Sequence, residues 1–363
     1  MKSADKIKIK INKKNKNKGN ENKKNKKDKI KEINNIIKNQ NGYVFTGLTA
    51  IMIVSFMIIA ILMLNVVIEL NKNSSDSIDS NSFNYLIEDY NKNIAILGRT
   101  TIEKITNETI NSYTPAYDAS DMIEKELEEK LNEVNEELME NQAINIETDV
   151  LSVYNGEDPY HINVKTLVIA KKGNFSYNNV VESKIAIDGL KDPLPFLMCR
   201  NNPTLTENGT KIAYGNSLKS YLDDCGLDNA DGYLNASSPL IIKKCPYDPY
   251  ENHGYGHTMK NCIDNSYYHE SADGSCYLCR LEGKCGCGHY GLETFIIPNK
   301  IAIEDYNNGN FKDKGISASD HVIFNEQYPG NSLVFYKNNG FYEFLFLDDS
   351  HRAKYGLSDL SVV

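Results

Sequence analysis

The sequence predicts an α+β protein in which an N-terminal transmembrane helix and a helical stalk precede an antiparallel-sheet ectodomain with a Cys-rich insertion. Three observations support this fold class: a long uncharged apolar run, two stretches with helical periodicity, and alternating apolar stretches on both sides of eight cysteines. They divide the chain into a basic tail over residues 1–42, a transmembrane helix over 43–70, a linker over 71–82, a stalk over 83–141 and an ectodomain over 142–363, with the Cys-rich insertion at 199–290.

The apolar run is the clearest feature of the N-terminal part. No charged residue occurs between Lys38 and Glu69, and residues 44–68 as a helix would extend roughly 37 Å. A bilayer's hydrocarbon core is about 30 Å thick, and a lone segment in lipid must satisfy its own backbone hydrogen bonds. We therefore expect one transmembrane helix here. The alternative is a helix buried in a protein core.

The charge distribution predicts the orientation of this helix. Residues 1–43 contain 15 Lys and 4 acidic residues, whereas the remainder contains 25 Lys or Arg and 45 acidic residues. Because basic residues beside a span are retained inside the cell, we expect a single-pass protein of the cell membrane with a cytoplasmic N-terminus and an extracytoplasmic C-terminal domain. The tail has too few apolar groups to form a core and is predicted to be disordered. It lacks the aromatic residues that stack on bases, so its expected partner is the lipid bilayer and not nucleic acid.

Two helices are predicted for the stalk. From Phe83 to Ile105 apolar residues recur at steps of three and four, and Pro115 ends this helix because the residue before proline is pushed out of the α region. A second helix is predicted to begin at Asp121, with Glu124 completing a capping box. Two arrangements fit these helices: a hairpin on the outer membrane surface, and two helices packed on the following sheet.

From Ile144 the apolar period changes to two, which is typical of half-buried strands. An Asn-Gly pair at 339–340 lies between two apolar runs and predicts a hairpin. We expect one sheet built from strands at both ends of the ectodomain, with the Cys-rich segment inserted between its halves. The predicted strands cover residues 162–170, 181–187, 294–297, 321–324, 333–337 and 341–347.

The densest group of metal-binding residue types is a Cys-x-x-Cys turn followed by a Cys-Gly-Cys-Gly-His stretch. A Cys-x-x-Cys turn lets two thiolates reach one metal, and a second close pair completes a tetrahedron. Four thiolates, or three thiolates with the imidazole, would hold a structural Zn²⁺ ion. The sequence therefore predicts a structural zinc site formed from Cys276, Cys279, Cys285, Cys287 and His289.

Disulfides are the alternative for these cysteines. All eight cysteines follow the apolar run, where an exported segment meets an oxidising environment, and eight cysteines allow 105 pairings. Cys199 with Cys225, and Cys245 with Cys262, are two such pairs. A redox-active Cys-x-x-Cys is a third interpretation, but no strand precedes Cys276 and the neighbouring cysteines would compete.

No catalytic or cofactor-binding residue is predicted. The sequence has no Gly-rich phosphate loop, no Gly-x-Ser-x-Gly motif and no acid pair in a recognisable frame. Two of the three residues between His253 and His257 are glycines, which does not suit two ligands on one helix face. We interpret these two histidines, together with His269, as surface or loop residues.

Residues 41–48 (NGYVFTGL) resemble the start of archaeal type IV pilin-like membrane proteins, and residues 189–195 (GLKDPLP) and 290–295 (YGLETF) resemble phrases in large extracellular proteins of that group. The resemblance implies cleavage after Gly42 by a prepilin-type peptidase. Such pilins carry Glu at the fifth position after the cut, where this chain has Gly47. The resemblance therefore implies a pilus-associated surface protein anchored in the membrane, not a major pilin.

These features together predict a non-enzymatic, single-pass, membrane-anchored extracytoplasmic surface protein that belongs to a pilus-like or envelope assembly. Its expected partners are the bilayer and other envelope or pilus-like proteins. The alternative is a metal-dependent or thiol-based ectoenzyme centred on residues 276–289.

Overall fold

The computed structural model divides the chain into two units, Met1–Ser74 and Ser75–Val363. In the first unit it describes one helix, residues 52–63, whose side chains are exposed. In full, the residues that the structure describes are 52–63, 76–199, 203–206, 208–227, 230–247, 253, 256–297, 318–325, 332–338 and 341–358.

The transmembrane helix predicted over residues 43–70 is corrected by the structure. Within the described residues, no helix combines the length and the apolar character needed to cross a membrane. The described part of this segment, residues 52–63, is helical. The rest of the predicted span lies outside the described residues, as do the basic tail over 1–42 and residues 71–75 of the linker.

The second unit is an α+β structure with small antiparallel sheets. Its helices are α1 Asp76–Ser112, α2 Ala119–Gln142, α3 Leu194–Met198, α4 Ser217–Asp224, α5 Gly256–Asp264, α6 Tyr277–Leu281, α7 Asp320–Phe324 and α8 Asp349–Lys354, with a 3₁₀ turn at Ala230–Tyr233. Its strands are β1 Asn145–Asn155, β2 His161–Lys172, β3 Phe175–Ala186, β4 Thr204–Leu205, β5 Lys211–Ala213, β6 Ser237–Pro239, β7 His269–Ser271, β8 Gly291–Glu293, β9 Ser332–Asn338 and β10 Phe341–Leu347.

The two helices of the predicted stalk pack on the sheet that follows them. Ile94 of α1 and Leu127 of α2 are fully buried in one core with the apolar residues of β1, β2 and β3. Asp118, and not Asp121 as predicted, caps α2, because its carboxylate accepts a hydrogen bond from the backbone N–H of Asp121 at 3.1 Å. Of the two arrangements that the sequence allows, the structure has the helices packed on the sheet.

Strand alternation predicts the first sheet and both hairpins correctly. β2 is the central strand and pairs antiparallel with β1 and β3. Val164, Val168 and Ala170 alternate along β2 and are fully buried. The β2–β3 hairpin turns at Gly173, whose φ of 56° lies in the left-handed region that glycine adopts easily. In the second hairpin Phe341 pairs with Asn338, and the predicted Asn-Gly pair between them lies outside the described residues.

Three predictions about the C-terminal strands are wrong. Residues 294–297 form isolated bridges, from Phe295 to Ser319 and from Ile297 to Ser237, and not a strand. Residues 321–324 lie in the helix α7. The prediction fails because a run of three apolar residues is too short for its period to distinguish helix from strand. The strands β9 and β10 form a separate two-stranded sheet. Among the described strands, none from the C-terminal part joins the β1–β2–β3 sheet, so the expected single sheet is replaced by several small ones.

The Cys-rich insertion is built around two cores. β4, β5 and β6 form one small sheet, and β7 pairs with β8 in another. Leu222 and Tyr233 pack in a second core together with Phe324 and Tyr355 from the C-terminal part. Residues of α6 instead extend the first core, where the buried Tyr277 hydroxyl lies 2.7 Å from the hydroxyl of Thr106 in α1.

Arg280 of α6 joins parts of the chain that are distant in sequence. Its guanidinium is fully buried and donates from Nε and Nη2 to the Asp192 carboxylate, at 3.0 and 2.5 Å, and from Nη2 to Asp320 Oδ2 at 2.6 Å. Burial alone would lower the pKa of Arg280, but the two carboxylates raise it well above its usual value. The ion pairs therefore hold α6 against the chain before α3 and against α7.

We predict that Arg280→Met lowers the free energy of unfolding by about 3–5 kcal/mol, because it leaves two buried carboxylates without their cation. Urea unfolding followed by circular dichroism measures this difference. Arg352→Met, at a partly exposed position of α8, is the control and should change stability by no more than about 0.5 kcal/mol. Equal unfolding midpoints for the two variants would contradict the importance of the ion pairs.

Candidate metal centres

The structure brings four of the five predicted metal ligands together. Cys276, Cys279, Cys287 and His289 each offer one ligand atom, and these atoms lie within 4.8 Å of one another. The sulfurs of Cys276 and Cys279 lie 3.6 and 3.8 Å from His289 Nδ1. In a tetrahedral zinc site the bond lengths separate a sulfur from a nitrogen by about 3.6 Å, so Zn²⁺ fits this geometry. We name these four residues the Cys3His cluster.

The local fold of α6 creates this geometry. Cys276 is the N-cap residue of α6, and Cys279 lies within the same single turn. Gly283, with φ of 71°, lets the chain reverse after the helix. The backbone N–H of Cys276 then donates to Cys287 Sγ at 3.4 Å. Cys276 and Cys279 are buried, whereas Cys287 is half-buried and His289 is exposed, so the cluster opens to solvent on one side.

The thiols of the Cys3His cluster influence one another's ionisation. Hydrogen bonds from Cys276 and Cys279 lower the pKa of Cys287, and the hydrogen bond to Cys276 raises the pKa of Cys279. One thiolate therefore forms easily, while further ionisation needs a nearby cation. Asn155 Nδ2 donates to Cys276 Sγ at 2.9 Å and fixes the position of that sulfur. A zinc ion would take the place of the thiol protons.

Cys285, the fifth predicted ligand, has other partners. Its thiol donates to the carbonyl oxygen of Phe324 at 3.2 Å and to Asn325 Oδ1 at 3.6 Å. It therefore contacts the end of α7 and is not part of the cluster. A tetrahedral ion has four positions, and His289 supplies the fourth in place of Cys285.

A second group of potential ligands was missed by the sequence analysis. Cys245, His253, Cys262 and His269 are all buried, and their ligand atoms lie within 4.8 Å of one another. We name them the Cys2His2 cluster. The two sulfurs are 3.5 Å apart, well beyond the roughly 2.05 Å of a disulfide. The Cys245–Cys262 pairing is therefore not formed, and His253 and His269 lie in the interior and not at the surface.

A third buried group, Glu293 with His321 and His351, also has its ligand atoms within 4.8 Å. Here a cation is already present: Lys354 Nζ donates to Glu293 Oε2 at 2.8 Å. His351 Nε2 lies 3.3 Å from the same oxygen, and its Nδ1 lies 2.6 Å from Asp348 Oδ2. Because Lys354 occupies the oxygen that would bind a metal, we interpret these residues as a buried ion network.

The ion network shifts the titration of its members. Burial lowers the pKa of His351, but hydrogen bonds to Asp348 and Glu293 outweigh burial and raise it to about 9. Burial raises the pKa of Glu293, but its hydrogen bond to His351 and the charge of Lys354 bring it well below the usual value. Both groups are therefore charged at neutral pH.

Comparison of the chain with protein-family models, with curated proteins and with solved structures found no match. The resemblance of residues 41–48 to pilin-like proteins stays a prediction. The geometry and ligand chemistry described above are the observations that bear on function.

We predict a loss of stability as pH rises from 6.5 to 9, because the raised pKa of His351 stabilises the folded state only where the imidazole is charged. From its shift, His351 contributes about 3 kcal/mol below pH 6.5, and this is lost as pH passes the folded-state value. Urea unfolding of the wild type and of His351→Gln across this range measures the contribution. The half-buried His161, paired with Asp158 at 2.7 Å, provides the control His161→Gln, which should keep the wild-type slope. A slope that survives in His351→Gln would refute the assignment.

Proposed function

We propose that the Cys3His cluster binds one structural Zn²⁺ ion, which stabilises the Cys-rich insertion of a non-enzymatic protein. The observation that carries the proposal is the convergence of three sulfurs and one imidazole nitrogen within 4.8 Å. Four protein ligands fill all the positions of a tetrahedral zinc ion. No position is then left for a substrate or for a reactive water molecule, which is typical of structural sites.

The segment around the cluster needs such a metal in order to fold. α6 has five residues, too few for a helix to be stable by itself. Residues 282–290 (EGKCGCGHY) contain few apolar side chains, and every residue of this segment is half-buried or exposed. Burial of this segment cannot offset its loss of chain entropy. Zinc binding contributes directly to the free energy of folding.

The metal would also hold α6 in its place in the domain. Cys276 and Cys279 bracket one side of α6, while Tyr277 contacts α1 and Arg280 is paired with two aspartates. A zinc ion at the cluster therefore supports contacts that reach both cores. This arrangement favours a bracing role for the cysteines.

Burial opposes a catalytic role for two of the three thiols of the Cys3His cluster, and zinc would occupy the third, the half-buried Cys287. A catalytic thiol must be both ionised and accessible. The side chains of Cys276 and Cys279 are 1% and 6% exposed, and Cys279 has a raised pKa. The wider role in a pilus-like or envelope assembly stays a prediction from the sequence, and a structural zinc ion is compatible with it.

We predict that Cys279→Ser in the full-length protein removes the zinc ion of the Cys3His cluster, because only three of its four ligands then remain. Limited proteolysis should cut the variant within residues 276–290, while the β2–β3 hairpin stays resistant. Inductively coupled plasma mass spectrometry measures the metal content. The control is Cys285→Ser, which should retain wild-type zinc because Cys285 is not in the cluster. Wild-type zinc content in Cys279→Ser would refute the proposal.

A further inference from the structure

We propose that the Cys2His2 cluster binds a second structural Zn²⁺ ion. Its four ligands are separate from those of the Cys3His cluster, so this site does not depend on the first. All four side chains are buried, the most accessible being Cys245 at 2%. Two thiols and two imidazoles form one of the three common ligand sets of structural zinc.

The distances within the cluster agree with a shared ion. Cys245 Sγ lies 3.4 Å from His253 Nε2 and 3.5 Å from Cys262 Sγ. Tetrahedral zinc separates sulfur from nitrogen by about 3.6 Å and two sulfurs by about 3.8 Å. The atoms therefore need to move apart by only a few tenths of an ångström to accept the ion.

The ligands come from four places in the chain and are fixed by the surrounding backbone. Cys262 lies in α5 and His269 begins β7, while His253 and Cys245 lie in the chain before α5. The backbone N–H of Cys245 donates to the carbonyl oxygen of Tyr268 at 3.0 Å, which places the cysteine next to His269. One ion would therefore join positions separated in the sequence by seven, eight and six residues.

Aromatic side chains enclose the two imidazoles. The ring of Tyr355 lies 5.4 Å from that of His253 and 5.3 Å from that of His269, and Phe295 lies 5.7 Å from His269. This packing limits the rotation of the rings and keeps bulk water away. A site that is closed in this way cannot admit a substrate, so its chemistry is structural.

The test measures zinc in the full-length protein, purified under reducing conditions and loaded with Zn²⁺ alone. We expect about two zinc ions per chain in the wild type, one per cluster. Cys262→Ser and Cys279→Ser should each lose one ion, and the double variant should lose both. Cys199→Ser is the matched control, because Cys199 is equally buried but belongs to neither cluster, and it should keep both ions.

A second readout needs only the wild type, so it remains valid if a variant fails to fold. A chelator should remove zinc in two phases, because the Cys3His cluster has an exposed ligand and the Cys2His2 cluster has none. The slow phase belongs to the Cys2His2 cluster. It should persist in Cys279→Ser.

Two results would overturn the inference. In the first, the wild type binds a single zinc ion, which Cys262→Ser retains and Cys279→Ser loses. The Cys3His site would then be supported and the Cys2His2 site refuted. The other is a peptide map of the zinc-loaded protein that contains a Cys245–Cys262 disulfide. If Cys262→Ser alone loses an ion, the second site stands and the proposed Cys3His site falls.

Discussion

The buried ion pairs of Arg280 with Asp192 and Asp320 are the interaction on which the packing of the Cys-rich insertion depends. They are fully desolvated and join three parts of the chain that lie up to 128 positions apart. α6, which carries Arg280, is too short to be stable alone. Its position must therefore come from side-chain contacts, which the Cys3His cluster, Tyr277 and Arg280 supply.

The Cys2His2 cluster and the ion network are linked by the β7–β8 pair. His269, a ligand of the Cys2His2 cluster, is directly opposite Glu293, the centre of the ion network. Tyr355 connects them from the C-terminal side, because its ring contacts His269 and its hydroxyl donates to Glu293. Zinc in the Cys2His2 cluster would thus support a network of charged residues that would otherwise be costly to bury.

Local sequence patterns predict the elements of this fold better than their assembly. Helical and alternating periods identify α1, α2 and both hairpins, because these elements bury one face. They do not identify α7, whose apolar run is too short. They also predict a transmembrane helix over residues 43–70, whereas no helix among the described residues has the length and apolar character to cross a membrane. The Cys-x-x-Cys turn reveals the Cys3His cluster because its ligands are close in sequence. Sequence patterns do not identify the Cys2His2 cluster, because tertiary packing brings His253 and His269 to the two cysteines.

Zinc K-edge X-ray absorption of the zinc-loaded full-length protein tests most directly whether these clusters brace the domain with metal. The two clusters together offer five sulfurs and three imidazoles. We expect each zinc ion to have, on average, about 2.5 sulfur ligands at 2.3 Å and about 1.5 nitrogen ligands at 2.0–2.1 Å. A shell of oxygen and nitrogen without sulfur would contradict it.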